Sequence, residues 1–168
     1  MWKNKEGFTL IELLVVIAII ALIAALSIIA INRSRMLARD AKRKADLKNI
    51  VVALEMYYQE YGVYPPAGSC AYGTNCYVYS TSGASWLAPL KPYISPPIDP
   101  INNQAGPWIS GRYSYSYGNV TANGQEYDLV GQLENTNDPD RCAIKKYRFN
   151  LIKNTWCGSY SGQMYAPQ

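Results

Sequence analysis

Histidine is absent from all 168 residues, which removes the commonest general base and the commonest zinc ligand. Triads of the Ser-His-Asp type are excluded with it, and no other nucleophile, base and orienting group stand in a recognisable pattern, so an enzyme is not expected. Phenylalanine is nearly missing too, at two residues against 15 tyrosines. The most informative absence is local: no glycine or proline occurs after Gly7 until Gly62, and all ten prolines lie at or beyond Pro65. Those 54 uninterrupted residues, Phe8 to Tyr61, predict one helix about 80 Å long, far beyond the usual globular length. From Gly62 to Gly124, by contrast, 16 of 63 residues are Gly or Pro, a density that favours loops, turns and short strands.

Charge is equally uneven. The formal +4 is concentrated in the stretch Arg33 to Lys48, which sums to +5 through Arg33, Arg35, Arg39, Lys42, Arg43, Lys44 and Lys48 against Asp40 and Asp46. Phe8–Asn32 sums to −1, and the region beyond the helix is close to neutral, which argues against a basic nucleic-acid surface on the C-terminal domain. The basic stretch reads as a solvated helical collar that meets phosphate headgroups.

Before the collar, Leu13 to Ile31 is a run of 19 residues with no charge and only Ser27 polar. At about 29 Å of helix it matches a hydrocarbon core of roughly 30 Å. A secretory signal has a shorter apolar stretch and a small-residue cleavage site, whereas this run ends in Asn32-Arg33-Ser34-Arg35. Glu12 is out of place for a simple anchor, because a carboxylate in an apolar segment is costly and calls for a partner. A cut between Gly7 and Phe8 supplies one: the new α-amino group of Phe8, four residues from Glu12, neutralises it within or between chains.

The segment Lys5-Glu6-Gly7-Phe8-Thr9-Leu10-Ile11-Glu12-Leu13 resembles the class III signal of type IV pilins and of the pseudopilins of type II secretion. The resemblance implies removal of a basic leader by a prepilin peptidase at Gly7/Phe8, N-methylation of Phe8, and subunit docking guided by Glu12. It also implies that the apolar helix is first a membrane anchor and then the packed core of a filament. Tyr57-Tyr58-Gln59-Glu60-Tyr61-Gly62-Val63-Tyr64-Pro65 is similar to the helix exit of G-type major pseudopilins. The collar on its own would place its side of the membrane in the cytoplasm; the resemblance requires the opposite, and long domains translocate largely regardless of charge.

The fold class expected is therefore α+β. A leader at 1–7, an apolar helix at 8–31 and an amphipathic half at 32–62 precede a globular loop and antiparallel-sheet domain at 63–168, giving a pilin-like lollipop. Leu47, Ile50, Val51, Leu54, Tyr57, Tyr58 and Tyr61 recur at helical spacing and predict the stripe that packs on the sheet, with Gly62 as helix C-cap and Pro65-Pro66 preventing resumption. Strands are predicted at Arg112–Tyr117, Tyr127–Leu133 and Lys145–Leu151, with tyrosines on one face of the first and its other face open to solvent or a neighbouring subunit. A short helix is predicted within Ser82–Ile94.

Cys70, Cys76, Cys142 and Cys157 follow the apolar segment, so two disulfides in an oxidising compartment are expected. Of three connectivities, sequence-local pairing favours Cys70 with Cys76 and Cys142 with Cys157; a zinc site is disfavoured because neither pair has CxxC spacing. No cofactor is expected. G-type pseudopilins hold calcium in a loop of this region, which by resemblance directs attention to Asp138 and Asp140, but the Ser-Gly-Asp-Gly ending of that pattern is missing here.

The function expected is a structural subunit of a type IV pilus or a type II secretion pseudopilus. Its partners would be copies of itself, the prepilin peptidase, an inner-membrane assembly platform and, before assembly, membrane lipids. Its location would be the cytoplasmic membrane, as a single-pass chain with the C-terminal domain extracytoplasmic, and then an extracellular or periplasmic filament. The competing classes are a membrane-tethered extracytoplasmic binding module and a minor pilin whose collar binds DNA for uptake, the latter the weaker because packing at a filament core hides much of the collar.

Overall fold

A computed structural model describes residues 7–68, 76–119, 123–141 and the backbone of 164–165, the side chains of Leu26 and Ser27 excepted. The secondary structure is α+β, with a helix α1 (Leu10–Tyr61) followed by strands β1 (Val78–Tyr79), β2 (Ser116–Asn119), β3 (Tyr127–Gln132) and β4 (Met164–Tyr165). The chain divides into two units, with the boundary between Met36 and Leu37.

The first unit is helical from Leu10 onward, two residues later than the sequence pattern suggests. Its described apolar side chains have no cover: Phe8 is 86% exposed, Leu10 82%, and Leu14, Ile17, Ile20, Ile23, Ile28 and Ile31 are all exposed. The helix is long and apolar enough to cross a membrane, and none of the described residues in its most apolar window is buried within the chain.

In the second unit, the helical residues from Leu37 to Tyr61 pack on an antiparallel sheet of order β1-β2-β3-β4. Leu47, Ile50, Ala53 and Leu54 lie one helical turn or less apart and reach complete or near-complete burial against Val78, Trp86, Leu90, Tyr115, Tyr117, Leu129 and Leu133. Each large side chain so buried contributes about 1.5–3 kcal/mol relative to exposure. Val51 and Tyr57 pack at the margin, whereas Tyr61, predicted to belong to the stripe, is 56% exposed because the helix ends there. The stop is local chemistry: Gly62 takes φ +69°, a left-handed conformation that costs glycine nothing, and donates its N–H to the Tyr58 carbonyl at 2.8 Å.

The tyrosine-serine alternation holds, but the strand is shifted. Pairing begins only at Ser116, where β2 meets β3 with Ser116 opposite Val130 and Asn119 opposite Tyr127. Tyr115 and Tyr117 join the core, as their period requires. Ser114 and Ser116 on the other face are fully buried, so that face is not the open surface the alternation suggested. β1, which the sequence did not signal, pairs antiparallel with β2, and β4 pairs antiparallel with β3. Gly118 is needed where Tyr77 crosses the sheet, since a Cβ there would lie 2.6 Å from the tyrosine ring. The expected helix within Ser82–Ile94 is two 3-10 segments, Ser80–Ser85 and Ala88–Leu90, divided by Trp86 and Leu87. The third predicted strand, Lys145–Leu151, lies outside the described residues.

Candidate functional site: the helix start and the collar

Gly7, Phe8 and Thr9 precede the first helical residue, and all three are exposed. The Thr9 carbonyl accepts the first helical hydrogen bond, from Leu13 N–H at 3.3 Å, which makes Thr9 the N-cap. Glu12 is three residues on and folds back to it. Its Oε2 accepts from the Thr9 amide at 2.8 Å and from the Thr9 hydroxyl at 2.7 Å, while the Glu12 amide donates to Thr9 Oγ1 at 3.3 Å. This is a reciprocal capping box, satisfying helix-start donors with the carboxylate itself. Glu12 is therefore held by Thr9. The signal Thr-x-x-Glu stands in the sequence: Glu12 has a neutral donor pair three residues away as well as any cation that balances it.

Further along α1, the collar divides. Arg33, Arg35, Lys42 and Lys48 are exposed. Arg39, Asp40, Arg43 and Lys44 are instead built into the second unit, contrary to the reading of a wholly solvated face. Arg43 is fully buried. Its guanidinium forms a fork with Asp99 (Nε to Oδ2 2.7 Å, Nη2 to Oδ1 3.1 Å), and its Nη1 donates to Asp40 Oδ1 at 2.7 Å and to Glu134 Oε1 at 2.6 Å. The Tyr113 ring lies 4.8 Å from the guanidinium carbon. Arg39 completes the cluster with a two-bond contact to Glu134 at 2.7 and 2.5 Å.

The same carboxylates organise backbone. Asp40 accepts the amides of Glu134 and Asn135 at 2.9 and 2.8 Å, and Asp99 accepts the amide of Ile101 at 2.8 Å. The loops at 99–102 and 134–135 are thus fastened to one helical turn. Burial alone would lower the Arg43 pKa, but Asp99 first, then Glu134 and Asp40, more than offset it, and the guanidinium is held above its usual value. Glu134 shows the converse: burial would raise its carboxyl, yet hydrogen bonds from Arg39 and Arg43 hold it below the usual carboxylate range.

Lys44 Nζ lies 2.6 Å from Asp138 Oδ1 and 2.6 Å from Asp140 Oδ2. The two residues considered for calcium thus share a cation supplied by the chain, and among the described residues no group of three or more His, Cys, Asp or Glu is placed to hold a metal ion. Cys76 is disulfide-bonded. Cys70, Cys142 and Cys157, and with them both expected pairings, lie outside the described residues.

Residues 2–31 match the family described as the prokaryotic N-terminal methylation motif. That motif is characteristic of type IV pilins and pseudopilins, and it marks a pilin-like precursor of the kind processed by prepilin peptidase. No curated protein and no solved structure matches the chain.

Proposed function

We propose that the chain is a structural subunit of a type IV pilus or type II secretion pseudopilus. In this reading the prepilin peptidase cuts between Gly7 and Phe8, Phe8 is N-methylated, and copies delivered by an inner-membrane assembly platform polymerise through α1. The observation that carries the reading is the methylation motif at residues 2–31 joined to a helix whose apolar side chains are exposed all round. A continuous apolar surface of that length needs a bilayer or other helices to cover it. Serial occupation of both environments is what a filament subunit stored in the membrane requires. Packing among neighbouring helices then supplies affinity, and Glu12 opposite a Phe8 amine penalises misregistered copies.

The second unit supports a structural role. Its polar cluster is spent on fastening loops to the helix, with Arg43 and Asp99 fully enclosed, so no cationic groove is built from Arg39, Arg43 and Lys44. The DNA-uptake reading loses those three cations and retains Arg33, Arg35, Lys42 and Lys48. Intact mass spectrometry of the protein from its native host, with tandem sequencing of the N-terminal peptide, tests the proposal. A mature chain beginning at Phe8 with one added methyl is the expected result. An uncut chain beginning at Met1, with the peptidase present, would make α1 a permanent anchor and the protein a membrane-tethered binding module.

A further inference from the structure

We propose that Thr9 is the positioning residue of the docking carboxylate: by engaging Oε2 of Glu12 it fixes the side chain and leaves Oε1 as the single open acceptor for a cation brought by a second copy. The inference rests on the filament reading and adds to it a residue that this reading does not use. Its basis is geometric. Both Thr9 donors, amide and hydroxyl, converge on one carboxylate oxygen at 2.8 and 2.7 Å, and the return bond from the Glu12 amide to Thr9 Oγ1 closes the box. Among the described residues, Oε1 has no partner.

Two features make this arrangement suited to docking. Every atom of the box belongs to Thr9 or Glu12, so it survives a cut between Gly7 and Phe8. Phe8 itself lies before the N-cap, outside the helix, so the amine released by the cut does not start on the helical face one turn above Glu12. The carboxylate's own chain already supplies its local donors, and the remaining acceptor suits a second copy. Before docking, the two donors also lower the cost of carrying a carboxylate in an apolar segment. On docking, a side chain already held in one rotamer loses less freedom when it pairs.

The test uses the full chain in a host with its peptidase and assembly machinery, reading both the N-terminal mass and the yield of sheared filaments. Thr9→Ser retains the hydroxyl and should assemble like the wild type. Thr9→Val keeps the branched shape without the donor. Thr9→Asp remains a good helix cap but sets a like charge against Glu12. Both are expected to be cut and methylated normally, with filament yield reduced at least about tenfold, the factor expected for one charge-assisted hydrogen bond. In a Glu12→Ala background, Thr9→Val should add no further loss, because its target is gone.

Wild-type assembly by Thr9→Val overturns the proposal. Assembly by Thr9→Asp with loss in Thr9→Val reduces Thr9 to a helix cap and also overturns it, as does an additive loss in the Glu12→Ala background. Failure of Thr9→Val to be cut makes Thr9 a peptidase-recognition residue instead. If the wild type itself is uncut, the filament reading fails independently of Thr9.

Discussion

Replacing Arg43 by methionine removes one cation from three carboxylates while nearly preserving side-chain length. Asp99 loses both bonds of its fork, Asp40 loses its Nη1 contact, and Glu134 keeps only Arg39. Breaking a buried ion pair by deleting one partner costs about 3–5 kcal/mol, because the surviving charge is left in a poor solvent. The backbone amides that Asp40 and Asp99 still accept soften the loss, which places the expected value near the lower end, about 3 kcal/mol. Against a total stability of roughly 5–15 kcal/mol, that corresponds to a fall in melting temperature on the order of 10 °C. Unfolding of the full chain in detergent, followed by the fluorescence of buried Trp86, provides the measurement. Asp99→Asn is the control: in the Arg43→Met background it should cost less than in the wild type, since it discharges the orphaned carboxylate. An Arg43→Met chain within about 0.5 kcal/mol of wild type, the range of an ordinary surface substitution, would refute the reasoning and return Arg43 to the role of a solvated collar residue.

Acid should weaken the same cluster. Because the Glu134 carboxyl is held below its usual value, its contribution is fully present above the unfolded glutamate value of about 4.3 and is lost as pH falls through the folded value. Glu134→Gln should flatten that limb of a stability-against-pH curve, and an unchanged curve would count against the assignment. Lys44 works in the opposite direction: burial would lower its pKa, but Asp138 and Asp140 raise it. Its contribution is present below the unfolded lysine value of about 10.4 and is lost as pH climbs through the folded value, an effect that Lys44→Met should remove. Gly118→Ala should destabilise the sheet by about 1–3 kcal/mol, since its Cβ would strike the Tyr77 ring; pairing it with Tyr77→Ala should recover part of the loss in a denaturation series. In cells, Gly7→Ala is expected to impair cleavage, and Glu12→Ala to leave cleavage intact while lowering filament yield; normal fibres from the Glu12 variant would remove its docking role.

Features written in short-range pattern were legible. The helix to Tyr61 follows from the absence of glycine and proline, its end from Gly62, and its inward stripe from the spacing of Leu47, Ile50 and Leu54. The alternation around Tyr115 and Tyr117 identified core tyrosines while misplacing the strand start, because an extended segment has the same period whether or not a neighbour pairs with it. Thr9 was equally local, three residues from Glu12, and was missed because a carboxylate in an apolar run directs attention to cations rather than to a threonine.

The collar is where sequence reasoning reached its limit. Lys42, Arg43 and Lys44 are consecutive and chemically alike, yet Lys42 is exposed, Arg43 is sealed and Lys44 is clamped. Helical phase alone separates them only once the side that the sheet covers is known. Of the three carboxylates that make burial of Arg43 tolerable, only Asp40 is local; Asp99 lies 56 residues away and Glu134 91. Sequence by itself determined the apolar helix and the methylation motif around its start, since these rest on periodicity and nearest neighbours. Tertiary structure alone decided which charges are spent on holding the domain together, because an ion pair between distant segments leaves no period in the chain and exists only where folding brings the partners within reach.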